Sequence, residues 1–325
     1  MRRRSNPASP GSRAVSAATL RNLGKRARLV GRLRAFLTAR GYLEVETPLI
    51  SPYRVPDRHL VSVPAGDGFL QTSPEFAMKR LLAAGSGPIF QIGKAFRGGE
   101  QGRRHAVEFT IAEWYRPGPL AGLLREMDLL LQDLLLVPSA EAVTWAGLFR
   151  RGIGVDPFAV SDESLQRLAE AHGHPGQPET RTAALEFLFS RLVEPGLGAE
   201  RPVFVTHYPA DMAALARLTP DDPRTSERFE VFYQGLELAN GYDELQDPEE
   251  HRRRFAADNR ARAAAGLPPA APDPRFLAAL EDPGLPRCSG VALGVDRLVM
   301  AAVGAEDLDE VIAFREDAPA TSRGR

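Results

Sequence analysis

The spacing of apolar residues changes period several times along the chain. After Asn22, Leu29, Leu33, Phe36 and Leu37 recur at helical spacing, and Gly41 stands where a left-handed C-cap belongs, so an amphipathic helix is expected. Leu43 and Val45 then alternate with Glu44 and Glu46 as far as Pro48, the pattern of a strand. Short strands are expected over 60–63 and 68–71. Ser73-Pro74 reads as a helix start, with a hydroxyl N-cap, proline at the first helical position and Glu75 in the first turn. Residues 89–97 alternate, with Phe90, Ile92 and Phe96 on one face and Gln91, Gly93, Ala95 and Arg97 on the other. Residues 107–115 return as a second extended run, and Gly98, Gly99 and Gly102 loosen the polar loop between, so the whole is expected to form a hairpin.

Downstream, 120–136 is strongly amphipathic and helical. Between Gly/Pro breaks, 162–171 and 181–193 also carry helical patterns, so 138–201 reads as a helical elaboration of one domain. A strand is expected over 203–207 and a single long strand over 228–240, with Asn240-Gly241 as a turn or bulge signal. Residues 249–265 read as a charged helix with a solvated face. Cys288 to Met300 form a glycine-rich apolar strand running into a helix. Gly290-x-x-x-Gly294 is not G-x-G-x-x-G and no βαβ unit follows, which argues against a dinucleotide fold.

Composition narrows the class. A chain 43% hydrophobic and 26% charged is expected to pack as a soluble globule. The formal net charge of −1 argues against a broad nucleic-acid surface, which usually shows as a basic excess. The one cysteine, Cys288, excludes an internal disulfide, suits a reducing cytoplasmic setting and reads as a small buried apolar residue. No apolar run approaches the roughly 20 residues of a membrane span. The basic opening lacks the apolar region of a secretory signal, and 1–21 is expected to be a disordered tail, followed by a domain over 22–316 and a flexible C-terminus over 317–325.

The candidate chemistry begins in the first hairpin. Arg97 sits at a strand end facing small side chains, beside a loop carrying Arg103, Arg104 and His105, an arrangement suited to a polyphosphate because a guanidinium forks onto phosphate oxygens. Taken alone, a surface hairpin with solvated charges is the better reading of it. Glu237 and Glu244 are seven apart, on opposite faces of an unbroken strand; an irregularity at Asn240-Gly241 would bring both to one side, where they would share magnesium with ATP phosphates. Two solvent-facing glutamates remain the plainer alternative from these residues alone.

Joined in order, the motifs are more specific. Leu43-Glu-Val-Glu-Thr-Pro48, Phe96-Arg97 and Cys288 to Met300 resemble motifs 1, 2 and 3 of class II aminoacyl-tRNA synthetases, with Thr72-Ser-Pro-Glu75 and Glu237-Leu-Ala-Asn-Gly241 between them. Residues 22–314 look most like the lysyl-tRNA synthetase core and its free-standing paralogues that attach β-lysine to elongation factor P, chiefly through Glu108 to Pro117, Glu227 to Leu245 and Cys288 to Met300. The resemblance implies an α+β class II catalytic core, with a six- or seven-stranded antiparallel sheet flanked by helices, and a homodimer built on motif 1. It implies ATP as substrate with Mg²⁺. Arg97 would meet the α-phosphate and Arg297 the γ-phosphate, both in catalytic roles, and Glu237 and Glu244 would ligate the metal. Glu75, Tyr115, Asn240 and Glu244 would surround the amino acid, Ser73 and Ala292 would shape its pocket, and Glu100, His105, Leu238 and Gly294 would complete the ATP site.

Two departures from the family pattern stand out: Arg97-Gly98-Gly99-Glu100 displaces a glutamate by one residue, and His105-Ala106-Val107-Glu108 lacks an asparagine. Motif 1 begins within some twenty residues of the expected disordered tail, without room for the oligonucleotide-binding domain that reads the anticodon in lysyl-tRNA synthetases. The expected activity is therefore ATP-dependent activation of (R)-β-lysine and transfer to a lysine of elongation factor P, without stable tRNA or membrane binding. The alternatives are a truncated lysyl-tRNA synthetase-like enzyme using α-lysine, or a catalytically silent synthetase-like regulator.

Overall fold

The computed structural model describes residues 17–315 apart from 59 and 177. The chain opens with α1 (Ala17–Thr38), so 17–21 of the expected basic tail are helical, while 1–16 and the expected C-terminal segment 317–325 lie outside the described residues. After β1 (Leu43–Glu44) come β2 (Ile50–Ser51), β3 (Pro64–Ala65), β4 (Gly68–Leu70), α2 (Glu75–Ala83), β5 (Ile89–Phe96), β6 (Glu108–Pro117) and α3 (Leu120–Leu135). β7 (Glu141–Thr144), α4 (Trp145–Ile153), α5 (Asp162–Ala171) and α6 (Arg181–Leu192) follow. The last part holds β8 (Val203–Pro209), β9 (Leu218–Thr219), β10 (Asp222–Tyr233), β11 (Leu236–Asp243), α7 (Pro248–Ala264), α8 (Pro274–Glu281), β12 (Cys288–Gly294) and α9 (Val295–Val303).

Nine strands form one sheet in the order β1-β5-β6-β12-β11-β10-β8-β7, with β9 beside β10. The six central strands run antiparallel, as the class II resemblance implies, and the short edges β1 and β7 add to them in parallel. A separate three-stranded sheet joins β2, β4 and β3. Alternation divides the large sheet into two faces. Phe90, Trp114, Val291 and Leu293 turn toward α1, α3 and α9 and form the largest apolar cluster with Leu33, Leu37, Leu123 and Met127. The opposite face of β6, β11 and β12 carries Glu113, Tyr115, Asn240, Tyr242, Gly290, Ala292 and Gly294 around a cavity. Beneath one end of it, α2, α7 and α8 contribute Met78, Phe255 and Phe276. The elaboration has its own cluster, centred on Trp145, Phe149 and Phe189.

Several elements differ from the sequence expectation. Residues 228–240 are two strands rather than one, because Tyr233 pairs with Leu236 across a two-residue turn. Gln234 and Gly235 both take positive φ, 53° and 66°, which matches the right-handed twist of the paired strands. Residues 60–63 form no strand; they lie alongside others through single contacts, Gly98 N–H donating to the Val61 carbonyl and Leu70 N–H to that of Val63. The helix expected from Pro74 begins one residue later, at Glu75. The charged helix is not simply solvated: α7 buries His251, Phe255 and Arg262. Arg262 donates to the carbonyls of Asp57, Leu60 and Pro268, tying the 55–60 loop over the cavity mouth. Among the described residues no helix is long and apolar enough to cross a membrane.

Candidate active site

The thirteen residues that the resemblance assigns to the site line one cavity of about 440 Å³, as does Arg104, whereas Arg103 pairs with Glu306 away from it. They come from α2, the β5–β6 hairpin, β11, β12 and the start of α9. The cavity has a cationic end and an acidic end.

At the cationic end Arg97 leaves the tip of β5 with its guanidinium 5.0 Å from the Phe109 ring centroid and 3.8 Å from Glu100. Arg297, in the first turn of α9, donates to the Glu237 carbonyl at 3.0 Å and lies 3.4 Å from its carboxylate. It also lies 2.7 Å from His105 Nε2. Burial, and then the Arg297 charge, hold the His105 ring below the ordinary histidine range, so it accepts from Arg297 as a neutral imidazole. The glycine departure is explained locally. Gly99 has φ 80°, and a Cβ at Gly98 would stand 3.0 Å from Val61. The loop still delivers Glu100 to the cavity. At Gly294 a Cβ would meet nothing nearer than 3.7 Å, so the fold itself does not demand glycine there and the backbone is left open to a ligand.

At the acidic end Glu113 is fully buried and accepts from Ser73 Oγ at 2.6 Å and Tyr115 OH at 3.0 Å. Burial, and then Glu75, push it up to about 7. Ser73 also accepts from Glu75 N–H at 3.0 Å, so the hydroxyl serves the helix start and the site together. Glu244 lies 2.5 Å from Lys79 Nζ, and its Oε1 has no hydrogen-bond donor among the described residues. Gly290 admits this crowding, since a Cβ there would stand 2.2 Å from the Tyr115 ring. Ala292 lies between Glu113 on β6 and Asn240 on β11 in register.

The irregularity expected at Asn240-Gly241 lies instead at Leu238. Phe232 pairs with Glu237 and Val231 with Ala239, so Leu238 is an extra, bulged residue, whereas Asn240-Gly241 pairs regularly. The bulge turns Leu238 and Ala239 to the apolar cluster and brings Glu237 onto the face of Asn240 and Glu244. Glu237 there lies beside Arg297, and Glu244 beside Lys79. The acidic neighbours of Glu237 are Glu230 and Glu194. Burial, and then Glu230 and Glu237, push Glu194 up to about 7.

A family model described as tRNA synthetases class II (D, K and N) matches residues 13–117 and 184–318. The chain belongs to the class II tRNA synthetases. The segment between the two matched stretches runs from α3 to the start of α6, so the elaboration is largely outside the shared core. Curated relatives refine the branch. The chain is 48% identical over 312 residues to an elongation factor P–(R)-β-lysine ligase from Haemophilus influenzae (strain PittGG), covering 92% of this chain and 96% of that one. It is 48% identical over 314 residues to the ligase of that name from Klebsiella pneumoniae (strain 342) and 49% to that from Edwardsiella ictaluri (strain 93-146), with the same coverage.

Three residues of this class II site were missed by sequence reasoning. Glu113 was hidden in an alternating strand, although a glutamate among Ala112, Trp114 and Tyr115 is itself a buried-acid signal. Lys79, four residues after Glu75, sits on the same helix face. Glu230 emerges only once β10 and β11 are folded into a hairpin.

Proposed function

We propose that this chain is an ATP-dependent ligase that activates (R)-β-lysine as its adenylate and transfers it to a lysine amine of elongation factor P. The observation that carries the reading is the two-ended cavity. Carboxylates Glu75, Glu113 and Glu244 at one end suit a substrate with two ammonium groups, and guanidiniums Arg97 and Arg297 at the other suit polyphosphate. Relatives sharing nearly half the residues, elongation factor P–(R)-β-lysine ligases by name, suggest the substrate and the acceptor.

The substrate carboxylate attacks the α-phosphorus in line and pyrophosphate leaves. Arg97 and Arg297 neutralise charge that spreads over the phosphate oxygens, and the pocket fixes the nucleophile against them. The acceptor amine then attacks the mixed anhydride and releases AMP, leaving an amide. Magnesium carried by the phosphates fits Glu237, which is 40% exposed in a cluster of excess negative charge, with Glu230 as its diagonal neighbour. When bound, the ion would offset charge on the phosphate oxygens. The Ala292 methyl, placed between Glu113 and Asn240, supports preference for the β-isomer by narrowing the space beside the substrate backbone. Exposed Leu43, Leu49 and Ile50 support a homodimer through the motif 1 segment, and a cytoplasmic setting fits the acceptor.

The test is amino-acid-dependent ATP–pyrophosphate exchange with both lysine isomers, followed by transfer of labelled β-lysine. Exchange favouring β-lysine and base-stable label on elongation factor P are expected. No exchange with any isomer by folded protein would overturn the ligase reading. Efficient base-labile charging of tRNA would replace the acceptor.

A further inference from the structure

Lys79 is a charged residue buried where no solvent reaches it. It projects from the second turn of α2, its side chain is 0% exposed, and it does not line the cavity. Its Nζ lies 2.6 Å from Glu75 Oε1 and 2.5 Å from Glu244 Oε2. Those two carboxylates do line the cavity, and the free Glu244 Oε1 stands beside Gly290 at its wall. A buried ammonium is costly to desolvate, and such a group persists only when paired and hydrogen-bonded. Here it is placed behind the wall, out of reach of any substrate, with one hand on each acid.

We propose that Lys79 is the positioning residue of the amino-acid pocket: its ammonium clamps Glu75 and Glu244 from behind, holding both turned so that their remaining oxygens receive the substrate's ammonium group. The inference rests on reading this end of the cavity as the amino-acid subsite. The groups that face the pair are consistent with it. From α2 come Lys79 and Glu75, from β6 Tyr115, from β12 Cys288, from α7 His251, and from the chain beside Glu244 come Tyr242 and Asp243. Lys79 is the nearest cation. His251 accompanies it as a neutral ring, held down to about 3 by burial and then by Lys79 itself. Burial pushes Glu244 up, and the Lys79 ammonium is the foremost of the groups that oppose it.

The test is Lys79→Met in the full chain, read by pyrophosphate exchange. The expected result is a KM for the amino acid raised by about tenfold or more, with the KM for ATP within about twofold, since the phosphate end is untouched. A folded variant with unchanged amino-acid KM, or with both KM values raised alike, overturns the proposal. If the variant fails to fold, ε-¹⁵N-lysine NMR of the wild-type protein decides. A clamped Lys79 gives a slowly exchanging ammonium signal that stays charged above pH 11 and moves on adding lysine. A Lys79 signal that exchanges and titrates like an exposed lysine overturns it. Absence of exchange in the wild type would instead strike the underlying ligase reading.

Discussion

Glu113 sits in register between Gln91 and Ala292, fully buried, with its proton affinity raised toward neutrality. Such a carboxyl favours the protonated native state. Its contribution to stability is fully present below its unfolded value of 4.5 and is lost as pH rises through about 7. Substrate binding runs the other way, since an ammonium needs the ionised form. The kcat/KM for the amino acid should therefore rise as pH passes through about 7. Glu113→Gln should flatten that rise and lower kcat/KM by about 10–100-fold, the usual worth of a buried charged hydrogen bond. A second prediction separates Glu237 of β11 from Glu244, which follows that strand. Glu237→Gln should nearly abolish adenylate formation, whereas Glu244→Gln should raise the amino-acid KM and leave the ATP KM within about twofold. Matching defects in exchange kinetics would refute separate roles for the two acids. The residues themselves were legible from motif positions; what they face was not. The contact of Glu244 with Lys79 was hidden because it joins residues 165 positions apart.

The β10–β11 hairpin is the element whose sequence misled most. Residues 228–240 read as one long strand, and Gln-Gly is a weaker turn signal than the Asn-Gly six residues on. The true turn is fixed by tertiary contacts. Gln234 and Gly235 N–H groups donate to the carbonyls of Gly198 and Leu197, and a Cβ at Gly235 would stand 3.0 Å from the Pro195 carbonyl. Gly235→Ala should destabilise the fold by about 1–2 kcal/mol through its positive φ, measured by urea unfolding. Gln234→Asn, better suited to that backbone, should leave stability equal or higher. The first hairpin was read correctly because its apolar alternation, glycine loop and return strand agree with one another. So was the end of α1, where Gly41 takes φ 83° as a left-handed cap requires.

At the scale of the whole molecule, three apolar clusters surround the sheet, and only the class and the cavity were legible in advance. The cavity could be read because five short segments each carry a recognisable motif. The elaboration could be read only as helices, since its packing around Trp145 depends on β8 residues Val203 and Val205 from far along the chain. Leu43, Leu49 and Ile50 are all exposed within eight residues of the segment after α1, a poor place for apolar side chains in a monomer and the basis of the proposed dimer. Ile50→Glu should shift the sedimentation coefficient toward the monomer while the circular dichroism spectrum is retained. An unchanged dimer would move the interface elsewhere.

The bulge at Leu238 limits how this strand can drift over generations. Exchanging Leu238 for another apolar side chain leaves every neighbour facing as before. Deleting it would swing Glu237 into the apolar cluster while Asn240, Tyr242 and Glu244 stayed where they are. Inserting a residue would do equal harm. The length of this stretch is thus held more tightly than its spelling, and active descendants of a common ancestor should differ across 236–244 by substitution and not by gaps.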